Sequence, residues 1–398
     1  MEARWPSVDY VELLWPPRST APDPTWSKRR RRANKGKYRQ AQVPAIANLA
    51  IPLTPQSASA VQETTDEITR FDAQYEGGAP FEAVLLRSES SASSQIEQLT
   101  ANARRISLAR LGDTSRHNAT LIARNTGALE AALELANQLD VEAILSMHRV
   151  LLEGTDPDDA GAIRDQQVWI GGDSPVTAMF VPPEHTAVPA ALDDLVTFMQ
   201  RTDVPPLAQA AIAHAQFETI HPFTDGNGRT GRALVSAVLR ARGTARNFTV
   251  PLSSGLLTNT AEYFDALTEY RRGNISPIID RFVDATQQAM GNAQVLLHDI
   301  EQVRNEIYRS TARKTKNLIT LATLCTTEPA FTAGMVGQLG VPTSSAYRII
   351  DKLVDRGILR VEQKIEGQAV WSVKALTKAL DDFADRAGRR RDSQGHWL

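Results

Sequence analysis

Cysteine is almost absent from this sequence, and histidine is scarce. Among 398 residues there are one cysteine, Cys325, and seven histidines, none of them paired at the spacing of metal ligands. A single thiol excludes a disulfide framework and a cysteine-based zinc site. No apolar run approaches the roughly 18 residues of a membrane-spanning helix, and the N-terminus lacks the basic-then-apolar layout of a signal peptide. These absences predict a soluble, cytoplasmic protein with no membrane partner.

Charge of either sign is not in excess, because 44 Lys and Arg residues are balanced by 46 Asp and Glu residues. This balance gives no overall field that would favour nucleic acid. The length predicts two or three domains, and 42% hydrophobic residues are ample for their cores.

The richest chemistry lies in the stretch HPFTDGNGRTGR at positions 221–232. His221 can accept a proton near neutral pH, since the unperturbed pKa of imidazole is about 6.5. Asp225 offers a carboxylate to Mg²⁺, which proteins usually hold through one or two carboxylates and the substrate phosphates. Gly226, Asn227 and Gly228 form a small-residue turn whose backbone N–H groups can surround an anion. The stretch therefore predicts a binding site for a nucleotide phosphate.

An apolar helix is predicted directly after this turn, over 233–240. The turn then stands at a helix N-terminus, where unpaired N–H groups and the helix dipole favour negative charge. Arg229 and Arg232 are three residues apart and share one helix face. Their planar guanidinium groups suit phosphate oxygens. A histidine before a Gly-Asn-Gly turn is by itself only a turn signal, but its combination with an acid and two arginines favours a functional site.

This stretch resembles the signature of the Fic family, His-x-Phe-x-Asp/Glu-Gly-Asn-Gly-Arg-x-x-Arg, and matches every defined position. The resemblance implies a helical bundle that transfers AMP from ATP, with Mg²⁺, to a Ser, Thr or Tyr hydroxyl of a target protein. The related Doc toxins carry lysine at the position of Gly228 and phosphorylate their targets. Glycine leaves room for the β-phosphate, so the resemblance favours nucleotidyl transfer.

The resemblance also implies a role for each residue of the signature. His221 would be the general base on the target hydroxyl, and Asp225 would hold Mg²⁺. Asn227 and the neighbouring amides would hold the α- and β-phosphates, Arg232 would hold the γ-phosphate, and Arg229 would support the site. The remaining expected nucleotide-binding residues are Gly226, Gly228, Gly231 and Tyr263.

Many Fic proteins carry an inhibitory helix with the pattern Ser/Thr-x-x-x-Glu-Gly/Asn. Ser93 and Glu97 match it, and Gln98 does not. The resemblance implies that Glu97, in a helix of about 88–106, pairs with Arg232 in place of the γ-phosphate. Closing a site 99% of the time needs about 2.7 kcal/mol, which is the order of one charge-assisted contact. A plain amphipathic surface helix stays open as the alternative.

Residues 1 to about 40 are predicted to form an arm that prolines interrupt and that docks in part on the body of the protein. A run at 28–37 has seven cations in ten residues. It is either a contact for nucleic acid or an acidic partner, or a solvated flexible run. Helical spacing begins after position 57, and the glycine pair at 77–78 ends it.

Helices are predicted at 125–139, 141–152, 187–199 and 206–220, and the last of them delivers His221 at its C-terminal end. Between them, residues 163–181 read as a β-hairpin with a glycine turn. The resemblance implies that this hairpin is a flap whose strand edge pairs with an extended target segment. A small hairpin without that role is the alternative. The residues expected to dock the target are Gln167, Val168, Trp169 and Ile170.

Residues 256–271 resemble the family segment that frames the adenine. Tyr263 on this segment would stack on the base, a contact worth about 1–3 kcal/mol in nucleic-acid systems. An aromatic residue at helical spacing is also typical of a core, and that alternative stays open. His148 and His214 are predicted to be packing residues.

Residues 332–373 have the pattern of a helix–turn–helix followed by a two-stranded wing, and they resemble a winged-helix domain. Its second helix would carry an outer face able to contact phosphates and base edges. Acidic residues dilute the charge of that face, so DNA binding and protein docking both remain open. The expected outer-face residues are Ser344, Ser345, Tyr347, Arg348 and Lys352.

Together these features predict a mainly α protein, a Fic-type helical bundle with a β-hairpin flap and a C-terminal winged helix-turn-helix domain. The predicted division is 1–75 for the arm and first helix, 76–310 for the Fic domain and 311–398 for the winged helix. The predicted function is an autoinhibited protein adenylyltransferase. The alternatives are removal of AMP by the same site, a DNA-binding regulator whose Fic domain senses nucleotide, and ATP binding without catalysis. Whether the chain forms a homodimer is left open.

Overall fold

A computed structural model describes residues 5–15, 27–74 and 79–388, and helices dominate them, which confirms the mainly α class. None of the described helices is long and apolar enough to cross a membrane. The helices are α1 (Lys28–Ala33), α2 (Pro55–Gln74), α3 (Ala79–Ile96), α4 (Ala103–Arg110), α5 (His117–Glu134), α6 (Val141–Leu152), α7 (Val188–Met199), α8 (Pro206–Ile220), α9 (Asn227–Ala241), α10 (Leu252–Thr258), α11 (Thr260–Arg271), α12 (Ser276–Arg309), α13 (Lys316–Thr327), α14 (Ala333–Gln338), α15 (Thr343–Asp355) and α16 (Lys374–Arg386). The strands are β1 (Asp9–Trp15), β2 (Gly36–Gln42), β3 (Ala330–Thr332), β4 (Leu359–Val361) and β5 (Val370–Val373).

The chain divides into two compact units whose segments alternate along the sequence. The first unit comprises Met1–Gln62, Glu134–Arg242 and Ala261–Arg281, and the second comprises Glu63–Leu133, Gly243–Thr260 and Phe282–Leu398. The linear division at 75 and 310 stays a prediction. The glycine pair expected to end the first long helix, at 77–78, lies outside the described residues.

Helix α8 forms the centre of the first unit and contacts α7 and α9. Every residue from Leu207 to Ile220 is buried, as expected for a helix that is apolar nearly all round. The predicted bounds of this helix, 206–220, and of α6, 141–152, are confirmed. Helix α6 packs against α7 and α9, and its His148 contacts the segment that joins α8 to α9.

The N-terminal segment also belongs to the first unit, and part of it docks as predicted. The Trp5 ring lies 6.2 Å from the Tyr270 ring, and the Val8 N–H donates to the Arg271 carbonyl at 2.8 Å. The sequence did not predict that β1 and β2 pair as an antiparallel hairpin. The prolines at 16, 17, 22 and 24 lie outside the described residues.

Part of the basic run at 28–37 is helical, and one of its arginines forms an ion pair within the chain. Its first half forms α1, with Ser27 as the N-cap. The Arg30 guanidinium donates to both carboxylate oxygens of Asp173, at 3.0 and 2.8 Å. The run is therefore more than a solvated tail, since one of its cations holds the turn of the expected flap.

In the second unit, the single helix expected over about 88–106 is wrong, because two helices meet there. Helix α3 ends at Ile96, and Gln98 has a φ of 63°. The Leu99 N–H donates to the Ser94 carbonyl at 3.0 Å, a closing bond of the kind that ends helices on a left-handed residue. The Asn102 side chain then accepts from the Arg105 N–H at 2.9 Å and begins α4.

The C-terminal elements of the second unit follow the predicted order. Helices α14 and α15 flank a turn in which Gly340 has a φ of 66°. Strands β3, β5 and β4 form an antiparallel sheet in that order. The inner face of α15 is buried through Ala346, Ile349, Ile350 and Leu353. Of the expected outer-face residues, Ser344, Tyr347, Arg348 and Lys352 are exposed and Ser345 is half-buried.

Candidate active site at the junction of α8 and α9

His221 is the residue that ends α8, and it is held in a left-handed conformation, with φ 50° and ψ 64°. Pro222 follows it, and a proline disfavours helical geometry in the preceding residue. A left-handed residue other than glycine costs about 1–2 kcal/mol, and such strain concentrates at functional sites. The His221 N–H still donates to the Phe217 carbonyl at 2.8 Å, so the ring is carried by the rigid end of α8.

The His221 side chain is 17% exposed, and its Nδ1 lies 3.8 Å from Oε2 of Glu218. Burial, followed by the nearby Arg271 and Arg164 cations, lowers the pKa of His221 well below its ordinary value. The imidazole is therefore neutral at pH 7, which is the state required of a proton acceptor.

Asn227 closes the loop between the two helices. Its Oδ1 accepts from the Phe223 N–H at 2.9 Å, and its Nδ2 donates to the Phe223 carbonyl at 2.9 Å. Both ends of the amide are thus bound to one backbone residue, and the side chain is buried. In the structure the Asn227 side chain fixes the loop by these two hydrogen bonds, whereas the sequence predicted that it binds phosphate directly.

His148 of α6 supports the same loop from below. Its ring stacks on Phe223 with centroids 3.6 Å apart and an interplanar angle of 1°. The Gly161 N–H donates to Nδ1 at 3.0 Å, so Nε2 carries the proton and donates to the Asp225 carbonyl at 3.0 Å. Burial lowers the pKa of His148 and keeps it in this neutral form. The predicted packing role is confirmed by its complete burial, and the two hydrogen bonds add to it.

Gly226 is the N-cap of α9, with a φ of 76°. A Cβ at this position would lie 2.9 Å from Leu151 Cδ2 and 3.4 Å from the His148 ring. Glycine is therefore required both by backbone conformation and by space. Because the cap has no side chain, the N–H groups of the first turn of α9, from Asn227 through Gly228 to Arg229, remain available to an anion.

Two arginines and one carboxylate surround this helix start. The Asp225 side chain is 74% exposed, and its Oδ2 accepts from Arg229 Nη2 at 3.1 Å. Arg229 is buried, and among the described residues nothing accepts a hydrogen bond from its Nε. Arg232, one turn further along α9, is fully buried. The exposed Asp225 oxygens suit a cation shared with phosphate oxygens, since Mg²⁺ in nucleotide sites takes one or two protein carboxylates.

Two residues expected to bind nucleotide belong to the packed core of the unit. A Cβ on Gly231 would lie 2.9 Å from Phe217 and 3.1 Å from His214, so Gly231 allows α9 to approach α8. Tyr263 is 1% exposed, and its hydroxyl lies 2.7 Å from His214 Nε2. The prediction that Tyr263 stacks on adenine is therefore wrong, because its ring is enclosed beside His214 and has no free face.

The expected hairpin at 163–181 is irregular, so the prediction of two strands is wrong. One antiparallel bridge joins Ile170 to Phe180, and the Ile170 N–H donates to the Phe180 carbonyl at 2.9 Å. The Gln167 side chain donates to the Val168 and Pro182 carbonyls at 2.9 and 3.2 Å. Trp169 packs against Trp15 with ring centroids 5.7 Å apart. These contacts brace a loop, which we call the flap (167–182), through side chains.

Ser93 and Glu97, the residues of the expected inhibitory motif, lie in the second unit. Ser93 is buried within α3, and Glu97 is exposed in the turn that follows it.

Two arginines beside His221, the buried Arg164 and the half-buried Arg271, were not predicted. The Arg164 guanidinium donates to the His221 carbonyl at 2.9 Å, and the Arg271 guanidinium lies 3.8 Å from the centre of the Phe180 ring. Neither belongs to a recognisable motif. Arg164 is followed by Asp165, Gln166 and Gln167, so its sequence neighbours gave no signal of a buried cation.

Comparison with known proteins agrees with this site. Residues 138–239 match the model of the Fic/DOC family. Protein adenylyltransferase fic-1 from Caenorhabditis elegans is 32% identical over 170 residues, which cover 40% of this chain and 31% of that protein. Protein adenylyltransferase Fic from Drosophila willistoni is 28% identical over 162 residues, which cover 41% of this chain and 30% of that protein. The chain thus spans less than a third of the length of either relative.

Among solved structures, a Fic family protein from Desulfovibrio desulfuricans G20 superimposes with a TM-score of 0.53 at 21% identity. The match covers 81% of this chain and 97% of that one. The similarity shows a shared fold.

Proposed function

We propose that this chain, whose residues 138–239 form a Fic/DOC domain, is a protein adenylyltransferase that transfers AMP from ATP to a Ser, Thr or Tyr hydroxyl of a target protein. The observation that carries the proposal is the junction of α8 and α9. It sets a neutral, strained His221 before the N-terminus of α9, whose first-turn amides suit an anion and whose first two turns carry Arg229 and Arg232. The names of the two relatives described above support the same reaction.

In this reaction His221 accepts the proton of the target hydroxyl as that oxygen bonds to the α-phosphorus. The bond from the α-phosphorus to the oxygen bridging it to the β-phosphate breaks, and pyrophosphate leaves. The first-turn amides of α9 from Asn227 to Arg229 stabilise the charge on the phosphates. Arg229, whose buried Nε has no partner among the described residues, and Arg232 supply positive charge. Asn227 and Gly226 contribute by holding the loop in shape.

Mg²⁺ fits this site through Asp225. The carboxylate is largely exposed, and Arg229 occupies only one of its oxygens. Among the described residues no group of three or more His, Cys, Asp or Glu side chains could enclose a metal, so the ion would be held by Asp225 together with nucleotide phosphates. When bound, it would neutralise phosphate charge and orient the chain of phosphates.

We further propose that Glu97 inhibits the transfer, as the pattern shared by Ser93 and Glu97 indicates. A carboxylate is a good partner for a guanidinium that otherwise binds a γ-phosphate, and Arg232 is the guanidinium assigned to that phosphate. The position of Glu97 in the exposed turn after α3 supports the idea, because a side chain in a turn can change its position without the unfolding of a helix.

The test is label transfer from α-labelled ATP with Mg²⁺ in a cell lysate. Three proteins are compared: wild type, Glu97→Gly, and Glu97→Gly with His221→Ala. We expect strong labelling of itself or of lysate proteins by Glu97→Gly, weak labelling by wild type, and none by the double variant. Failure of all three to transfer label while all bind ATP would refute the adenylyltransferase proposal. Equal labelling by wild type and Glu97→Gly would refute inhibition by Glu97.

Removal of AMP by the same site is the second candidate, and the neutral His221 beside Glu218 also suits it. Incubating an AMP-modified target with wild type and with Glu97→Gly separates the two. Loss of the label that requires Glu97 would favour removal, in which Glu97 orients water.

A third candidate concerns the C-terminal elements, which we propose to be a winged helix. Its α15 exposes Ser344, Tyr347, Arg348 and Lys352, a set that suits DNA phosphates and base edges. A mobility-shift titration with random duplex at two salt concentrations tests it. Binding that weakens steeply with salt and is lost in Arg348→Ala with Lys352→Ala would support DNA binding, and no shift at low salt would favour protein docking.

A further inference from the structure

Arg164 lies in the segment that leads into the flap, and its side chain is one of the most buried cations of the described chain, with 3% exposure. Its three guanidinium nitrogens donate to three different carbonyls. Nε donates to His221 at 2.9 Å, Nη1 to Gln166 at 2.9 Å and Nη2 to Pro183 at 2.7 Å. Its backbone N–H donates to the Pro222 carbonyl at 3.0 Å.

These acceptors belong to two parts of the site. His221 and Pro222 form the left-handed turn at the end of α8, which carries the proton acceptor. Gln166 and Pro183 are the residues that flank the flap on either side. The Arg164 side chain therefore links the turn that carries His221 to the residues at both ends of the flap.

The hydrogen bonds donated by Arg164 are stronger than those between neutral groups. Hydrogen bonds from a charged donor are roughly twice as strong as neutral ones, and burial removes competing water. Burial lowers the pKa of Arg164 to about 10, so the guanidinium still carries its charge at pH 7. Its planar fork presents donors in fixed directions, whereas a lysine ammonium at the same place is a single point.

We propose that Arg164 is a positioning residue of the transfer reaction. Its hydrogen bonds fix the His221 turn relative to both ends of the flap, so that a target hydroxyl bound by the flap lies next to the imidazole. The inference rests on the proposed function for the identity of the reaction. The inference goes further in one respect. It explains how Arg164, which is not proposed to contact nucleotide or target, could set the distance between His221 and the target hydroxyl.

Arg164→Lys and Arg164→Met test the proposal in the Glu97→Gly background. The measurements are the initial rate of self-labelling against ATP concentration, and ADP affinity by calorimetry. A misplacement of about 1 Å costs a reaction up to about 100-fold. We expect the maximal rate to fall about 10- to 100-fold in both variants, while the half-saturating ATP concentration and the ADP affinity change less than about twofold. Arg149→Lys, a half-exposed arginine of the same unit paired to Glu142 at 3.5 Å, is the matched control and should match its parent.

Hydrogen–deuterium exchange of the same proteins gives a readout that needs no activity. Arg164→Lys should raise exchange in the peptides covering 166–183 and 221–226 together, with 207–219 of α8 unchanged. An unchanged maximal rate in Arg164→Lys, or faster exchange in only one of the two segments, would overturn the positioning role. If the Glu97→Gly parent binds ATP but labels neither itself nor lysate proteins, the proposed function fails, and the exchange pattern alone decides whether Arg164 links the His221 turn to the flap.

Discussion

Replacing Gly226 with alanine tests whether the loop between α8 and α9 is held by close packing. At a φ of 76° an alanine costs about 1–2 kcal/mol relative to glycine. The added methyl group would lie 2.9 Å from Leu151 and 3.4 Å from His148, and both side chains are fully buried. Forcing a methyl group into such a core costs about 1–3 kcal/mol. The two costs together predict a loss of about 2–5 kcal/mol in the free energy of unfolding, which is large beside the 5–15 kcal/mol of a typical domain.

Gly171→Ala is the matched control, since it shares the backbone cost and lacks the packing cost. Gly171 has a φ of 71°, and the three atoms nearest to its added methyl group all belong to Met179, the first at 3.0 Å. Met179 is 85% exposed and can move aside. We therefore expect Gly171→Ala to lose only about 1–2 kcal/mol.

Equilibrium urea unfolding, followed by circular dichroism, measures both losses, and calorimetry with ADP measures the site. Gly226→Ala should also weaken ADP binding about tenfold or more, because a shifted cap moves the first-turn amides that we propose to bind the phosphates. Equal losses of stability in the two variants would refute the packing argument. Full ADP affinity in Gly226→Ala would refute the placement of the phosphates at this helix start.

Three further outcomes follow from individual contacts. Gln98→Gly should raise the free energy of unfolding by about 0.5–1 kcal/mol. Glycine removes the conformational cost of a left-handed residue at the end of α3, but its greater chain entropy in the unfolded state offsets part of that gain. Thermal unfolding checks the sign. Tyr263→Phe should cost about 1–3 kcal/mol by leaving buried His214 without the hydroxyl and should leave ADP affinity unchanged, whereas weaker binding would restore Tyr263 to the nucleotide site. Burial lowers the pKa of His214 to about 3, so below pH 6.5 the unfolded chain takes up a proton that the folded chain excludes. Stability should then fall as the pH drops from 6.5 to 3, by up to about 1.4 kcal/mol per pH unit, and His214→Gln should reduce that slope by one proton.

The features that could be predicted from sequence are those encoded by neighbouring residues. The bounds of α8 follow from Pro206 at its start and Pro222 just beyond its end. The order of base, acid, glycine turn and arginines within 221–232 places them at one helix start without any knowledge of the fold. The outer face of α15 follows from helical periodicity alone.

The features that could not be predicted depend on contacts between residues distant in sequence. Arg164 joins His221 across 57 positions, and His148 joins Asp225 across 77, so no local pattern marks either as part of the site. The β1–β2 hairpin is separated by residues 16–35, which include a proline-rich segment. The end of α3 was missed for a different reason: a left-handed residue is expected to be Gly or Asn, and Gln98 gives no such signal.

Gln98 also gives a physical reason for the sixth position of the inhibitory motif. In this chain that position is the left-handed residue that ends α3, and glycine or asparagine adopts this conformation most readily. A Gly or Asn at this position would favour the same turn, which leaves the preceding glutamate just beyond the end of the helix. Glutamine keeps the same geometry here at a cost in stability, so the departure at Gln98 alters the stability of the turn while Glu97 keeps its position at the end of α3.

The site separates the groups that shape it from the groups that face the ligand. Asn227 binds the Phe223 backbone, His148 binds the Asp225 backbone, and Arg164 binds the His221 backbone. Each of these side chains is buried and holds one point of the loop, so that the His221 ring, the exposed Asp225 carboxylate and the first-turn amides of α9 keep their positions. A signature residue such as Asn227 can thus contribute to the site by holding the loop. Asn227→Asp distinguishes the two roles: it keeps the acceptor for the Phe223 N–H, loses the donor to the Phe223 carbonyl, and should cost stability even when no nucleotide is present.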